Sequence, residues 1–178
     1  MSSTNNFVFK VLQVIAWIIF VGLCIEAGGL LVNFLFSIFK PQSVPNLYQK
    51  LDLSHLYEGN KAVFFGMYSF ILAIALSKAY LFYIVIRLLS KLDLARPFSH
   101  YVAEQIAQIS HYTFLIGILG YIAREIARNQ QHHGFAAGHL NGFWADSQAF
   151  ILMAAVVYII ATIFRKGVEL QKEIDLTV

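Results

Sequence analysis

Charged residues fall in blocks along this chain, and between the blocks lie four long apolar runs. Lys10 and Lys40 bracket 29 residues whose only charge is Glu26, and Lys61 and Arg87 bracket 25 whose only charge is Lys78. Glu104 and Arg124 bracket 19 residues with no formal charge, and Asp146 and Arg165 bracket 18 more. A helix rises ~1.5 Å per residue and the hydrocarbon core of a bilayer is about 30 Å thick, so roughly 20 apolar residues cross it. The pattern predicts an all-α chain, an integral membrane four-helix antiparallel bundle with spans at about 11–39, 62–90, 100–128 and 146–166. These form a single transmembrane domain over 1–178, with a cytoplasmic tail at 167–178. The first run is longer than the apolar segment of a cleaved signal peptide, so it reads as a retained span.

The connections carry the stop signals. Pro41 and Pro45 end the first helix, because proline lacks an N–H and restricts the residue before it. Between them and Lys61, Leu47, Leu51 and Leu56 interleave with Lys50, Asp52 and Glu58, which predicts a short helix lying in the interface. The second connection, Lys91 to Ser99, is tight; Pro97 prevents continuation and Ser99 is positioned to cap the third helix. The third, 129–145, places His132, His133 and His139 among Gln, Asn and Gly. In the tail, Gly167 offers a helix exit. Beyond it Ile174, Leu176 and Val178 alternate with Asp175 and Thr177, a strand-like pattern that could add to a sheet edge, with folding back onto the bundle as the alternative.

Composition sharpens this picture. Hydrophobic residues make up 58% of the chain and charged residues 13%, against about 25% charged in soluble domains. The net charge of +3 is spread over several loops and reads as membrane-flanking cation; no basic, aromatic-interleaved surface for direct nucleic-acid binding is present. Cys24 is the single cysteine, which excludes an internal disulfide or a paired-thiol redox site. Four spans put both termini on one side. With the termini cytoplasmic, seven Lys and Arg face inward and five outward, the sense of the positive-inside rule.

Candidate chemistry is sparse. Small and weakly polar residues mark helix-packing seams in lipid, and three stripes have the right spacing: Gly22, Glu26, Gly29 and Asn33; Ser110, Thr113, Gly117, Gly120 and Arg124; Ala154, Tyr158, Ala161 and Arg165. Each is read as a packing seam, with a polar ligand cavity as the alternative. Glu26 and Lys78 lie at similar depths, and an unpaired charge there costs at least ~2.5–3.5 kcal/mol. They are therefore expected to form an intramembrane ion pair, either a structural register pin or a proton or ligand site. A metal site built from His132, His133 and His139 with His55, Glu58 or Asp146 matches no zinc spacing. A bis-histidine haem fails on count, since only His111 lies within a span. No cofactor is expected.

Two segments, Leu94-Ala95-Arg96-Pro97-Phe98-Ser99 and the stretch from Gly167 through Glu169, Leu170, Lys172, Glu173, Ile174, Asp175 and Leu176 to Val178, together resemble a bacterial family of four-span membrane proteins, domain of unknown function 2975. Where that family commonly shows Asn in the tail, this chain has Ile174. Members are often encoded beside a small helix-turn-helix regulator. The resemblance thus implies a membrane partner for a transcription factor, with Pro97, Phe98, Leu170, Ile174, Leu176 and Val178 as the partner-binding candidates. The expected function is non-enzymatic, in the bacterial inner membrane, through cytoplasmic protein contacts. The alternative is a small transporter or channel subunit using the Glu26–Lys78 site, and a membrane enzyme ranks third.

Overall fold

The structure, a computed structural model, describes residues 3–39, 57, 60–93, 97–132, 141–144 and 146–177. Four long helices carry the chain: α1 (Ser3–Phe39), α2 (Lys61–Lys91), α3 (His100–His132) and α5 (Ser147–Thr177), with a single turn, α4 (Asn141–Trp144), before the last. Among the described residues there is no strand. All four long helices have the length and apolarity to cross a membrane. The interfacial helix expected in the first outer loop lies outside the described residues apart from Tyr57, whose ring meets Phe64 at 5.2 Å.

Local chemistry sets the ends. Asn60 caps α2, its Oδ1 accepting from the Ala62 N–H at 2.9 Å. Ser99 caps α3 as expected, its Oγ accepting from the Val102 N–H at 3.2 Å. Within the spans, hydroxyls cannot turn to water, so most bond back into their own helix. Ser37 donates to the Asn33 carbonyl at 2.8 Å and Thr113 to the Ile109 carbonyl at 2.7 Å.

The helices are antiparallel to their neighbours and pack chiefly in chain order, α1 on α2, α2 on α3 and α3 on α5. One end of the molecule, the elbow end, carries the start of α1, the 92–99 connection and the end of α5. There Gln13 Nε2 donates to Ser90 Oγ at 3.0 Å, tying α1 to α2. The opposite, loop end holds the larger core: Ala27 and Leu30 of α1, Phe64, Tyr68 and Ile71 of α2, Ala123 and Ala127 of α3, and Trp144 of α4. A second cluster near mid-span joins Ile74, Leu81 and Ile116, with Phe150 of α5 against it.

The seams are only partly those the small residues marked. On α3 the stripe follows the seam, with Ser110, Thr113, Gly117 and Gly120 buried and Arg124 at its end half-buried. On α5, Ala154 and Ala161 are buried but Tyr158 and Arg165 are exposed. On α1 the stripe lies at the edge of the seam: Gly22 would meet nothing within 4 Å of an added Cβ and Glu26, Gly29 and Asn33 are half-buried, whereas Ala16, Ala27, Leu30 and Ser37 are the buried residues. At 3.6 residues per turn the true seam is rotated roughly 100° from the glycine stripe. The cause is that α1 is apolar all round, so small residues were the one available signal and large aromatics on α2 chose a different face.

Candidate functional site at the elbow end of the bundle

Lys78 leaves α2 on the side that faces α3 and α5. It shares that face with Ile74 and Leu81, while α1 packs on the face carrying Phe65, Tyr68, Tyr83 and Ser90. Helical side chains lean toward the N-terminus, so the Lys78 ammonium rises toward the loop end and lies 5.8 Å from the Phe150 ring centroid. The expected Glu26–Lys78 ion pair is therefore not formed. Helical azimuth separates the two charges, since Lys78 lies on the face of α2 turned to Phe150.

Above Lys78 a cavity of about 20 Å³ is lined by Gly120, Trp144, Asp146, Ser147 and Phe150 among others. Trp144 Nε1 and Ser147 Oγ are buried there without a hydrogen-bond partner among the described residues. A void of that size holds one water-sized group, and both atoms are suited to bond it. Nothing in the sequence pattern pointed to this place, because it is assembled from α2, α3, α4 and α5.

At the elbow end the partner-binding candidates come together in part. The Phe98 ring packs on Phe164 at 5.3 Å between centroids and lies flat against Gly167, where any Cβ would overlap it. Gly167 is therefore a landing site for Phe98 rather than a helix exit. The tail is not strand-like: α5 runs on through Thr177 without a break. The Lys166–Glu169 pair at i,i+3 supports the helix across Gly167, and Phe98 packed on Phe164 supports the same turn. Pro97 is half-buried. Leu170 and Ile174 are 59% and 65% exposed. Leu176 lies near the end of α5, and Val178 lies outside the described residues, as do Leu94, Ala95 and Arg96.

Beside the elbow, a cleft of about 450 Å³ opens between the start of α3 and the end of α5. His100, Ala103 and Glu104 form one wall, and Arg165, Val168, Glu169 and Lys172 the other. Glu169 is already engaged by Lys166 at 2.7 Å. Tyr101 beneath donates to the Arg87 carbonyl at 3.3 Å and carries the Lys91 ammonium 5.1 Å from its ring centroid. On the metal question, His133 and His139 lie outside the described residues. Among the described residues no three His, Cys, Asp or Glu come together as a metal site.

Four membrane-length helices packed antiparallel define a multi-pass α-helical membrane protein. The chain belongs to the family described as "Protein of unknown function (DUF2975)", whose model matches residues 46–178. The matched range takes in α2 to α5 and leaves α1 outside it. No curated protein and no solved structure matches the chain.

Proposed function

We propose that this is a non-enzymatic protein of the bacterial inner membrane, with both termini cytoplasmic, that acts through protein contacts at its elbow end. Its partner on this reading is a small helix-turn-helix transcription factor, held at or released from the membrane. The observation that carries the proposal is the continuation of α5. Its 31 residues make a rod of about 46 Å against a hydrocarbon core of about 30 Å. Leu152, Val156, Ile159 and Ile163 form its outward, lipid-facing stripe, and Leu170 and Ile174 extend that stripe past Arg165 and Lys166. Apolar side chains that emerge from the bilayer on a rigid helix suit capture by a groove on a soluble partner. The orientation rests on the lysine and arginine distribution, and the nature of the partner rests on the family resemblance.

The alternative of a transporter or channel subunit loses its support, because Lys78 turns toward Phe150 and away from the α1 face. The test is a pull-down from gently solubilised membranes with three baits: the full chain, a chain truncated after Gly167, and the full chain carrying Leu170→Ser with Ile174→Ser. A helix-turn-helix protein bound by the first and lost from the other two is the expected result. Equal binding by all three baits, each of them folded, defeats the proposal.

A further inference from the structure

We propose that the cleft between α3 and α5 binds the headgroup of an aminophospholipid, with its phosphate on Arg165 and Lys172 and its primary ammonium on Glu104. The position of the cleft is the first argument. The uncharged run of α3 begins after Glu104 and that of α5 ends before Arg165, so both walls stand where the hydrocarbon gives way to headgroups, the level at which Lys and Arg concentrate.

The charge distribution is the second. Lys166 occupies Glu169 at 2.7 Å, whereas Arg165, Lys172 and Glu104, which all line the cleft, make no ion pair with any described residue. Arg165 and Lys172 are seven residues apart, two turns along one face, so their Cα atoms are separated by roughly 10.5 Å. Two long side chains spanning that interval can converge on one phosphate, the guanidinium in a bidentate fork and the ammonium as a point charge. Glu104 stands across the cleft from them on α3, where it can receive a headgroup's second charge. Ala103 and Val168 supply apolar floor between the charged walls, and a volume of about 450 Å³ exceeds what a phosphate and an ethanolamine need.

The ammonium must be primary, because a trimethylated one has no N–H to donate to Glu104. This inference is independent of the protein-contact reading: at 100° per residue, Leu170 and Ile174 lie roughly opposite the face that carries Arg165, Val168 and Lys172.

Soluble phosphoethanolamine presents the same chemistry, so the experiment separates the two sources. The full chain is reconstituted in nanodiscs of mixed phosphatidylethanolamine, phosphatidylcholine and phosphatidylglycerol, and the lipids it retains are read by native mass spectrometry. Retention of one ethanolamine lipid over choline lipid by about fivefold is expected, the ratio that one net hydrogen bond, donated to Glu104 by a primary ammonium alone, supplies. Arg165→Gln with Lys172→Gln should abolish that retained lipid. Glu104→Gln should keep a retained lipid but erase the preference for ethanolamine over choline. A wild-type protein without the preference, or a preference that survives either substitution in a folded variant, overturns the proposal. Release of the lipid by soluble phosphoethanolamine at concentrations equal to that of the lipid would assign the cleft to a soluble ligand and overturn the lipid assignment.

Discussion

The α1–α2 and α3–α5 seams solve the same problem by different means. Between α3 and α5 the backbones themselves touch: a Cβ at Gly117 would sit 2.9 Å from the Ile151 nitrogen and 3.1 Å from the Ser147 carbonyl oxygen. Ser110 crosses this gap to donate to the Ala154 carbonyl at 2.9 Å. Between α1 and α2 aromatic rings fill the seam, Phe34 against Tyr68 at 5.3 Å and Phe20 against Tyr83 at 6.2 Å. Lipid is as apolar as leucine, so association depends on contact quality rather than on escape from water. The close seam gains dense van der Waals contact and pays with intolerance to added volume. The aromatic seam leaves α1 largely open to lipid, with only 6% of its most apolar window buried.

That contrast is most sharply tested by adding volume to the close α3–α5 seam and to the open, lipid-facing side of α1. Gly117→Val forces the α3 and α5 backbones apart and should lower stability by about 3 kcal/mol, the upper range for overpacking. Gly22→Val on α1, where nothing lies within 4 Å, should change it by less than about 0.5 kcal/mol. Thermal unfolding in detergent reads both, and equal effects would mean that α3 and α5 are not packed as closely as described. A smaller loss is expected from Tyr68→Phe, which removes the bond from the Tyr68 hydroxyl to the Leu30 carbonyl at 3.0 Å. Hydrogen bonds between membrane helices average about 0.6 kcal/mol, so a fall well above 1.5 kcal/mol would mark α1 as more tightly held than its open face implies. Smallest of all is Glu26→Gln. With no ion pair to Lys78 to break, stability should shift by less than about 0.5 kcal/mol, and the variant should match wild type in the same melt.

The candidate site was legible in proportion to how local its signals are. Phe98 and the tail stood out as sequence, and the Ser99 cap followed from Pro97 and Ser99 alone. The role of Gly167 did not, because a glycine that ends a helix and one that receives a ring look alike until Phe98 is placed on it. The tail's alternation of Ile174, Leu176 and Val178 was equally compatible with strand and with the end of a long helix. Continuity with α5, anchored by Phe98 and Phe164, chose helix. The cleft between His100 and Lys172 had no signature, since its walls are more than 60 residues apart in the chain.

By itself the sequence determined the number and alternating direction of the membrane-spanning helices, though not how far α5 runs past Arg165. Hydrocarbon thickness and the cost of charge in lipid act on each segment separately, so a run of residues carries that information whole. What only the tertiary structure decided is azimuth: which face of each helix meets which neighbour. A helix that is apolar all round, such as α1, carries no periodic signal to fix its rotation, and rotation is what parted Glu26 from Lys78 and turned Lys78 to Phe150. Where small residues let two backbones touch, as along Ser110, Gly117 and Gly120, that rotation was written in the chain. Elsewhere it was settled by the fit of large side chains against a partner helix.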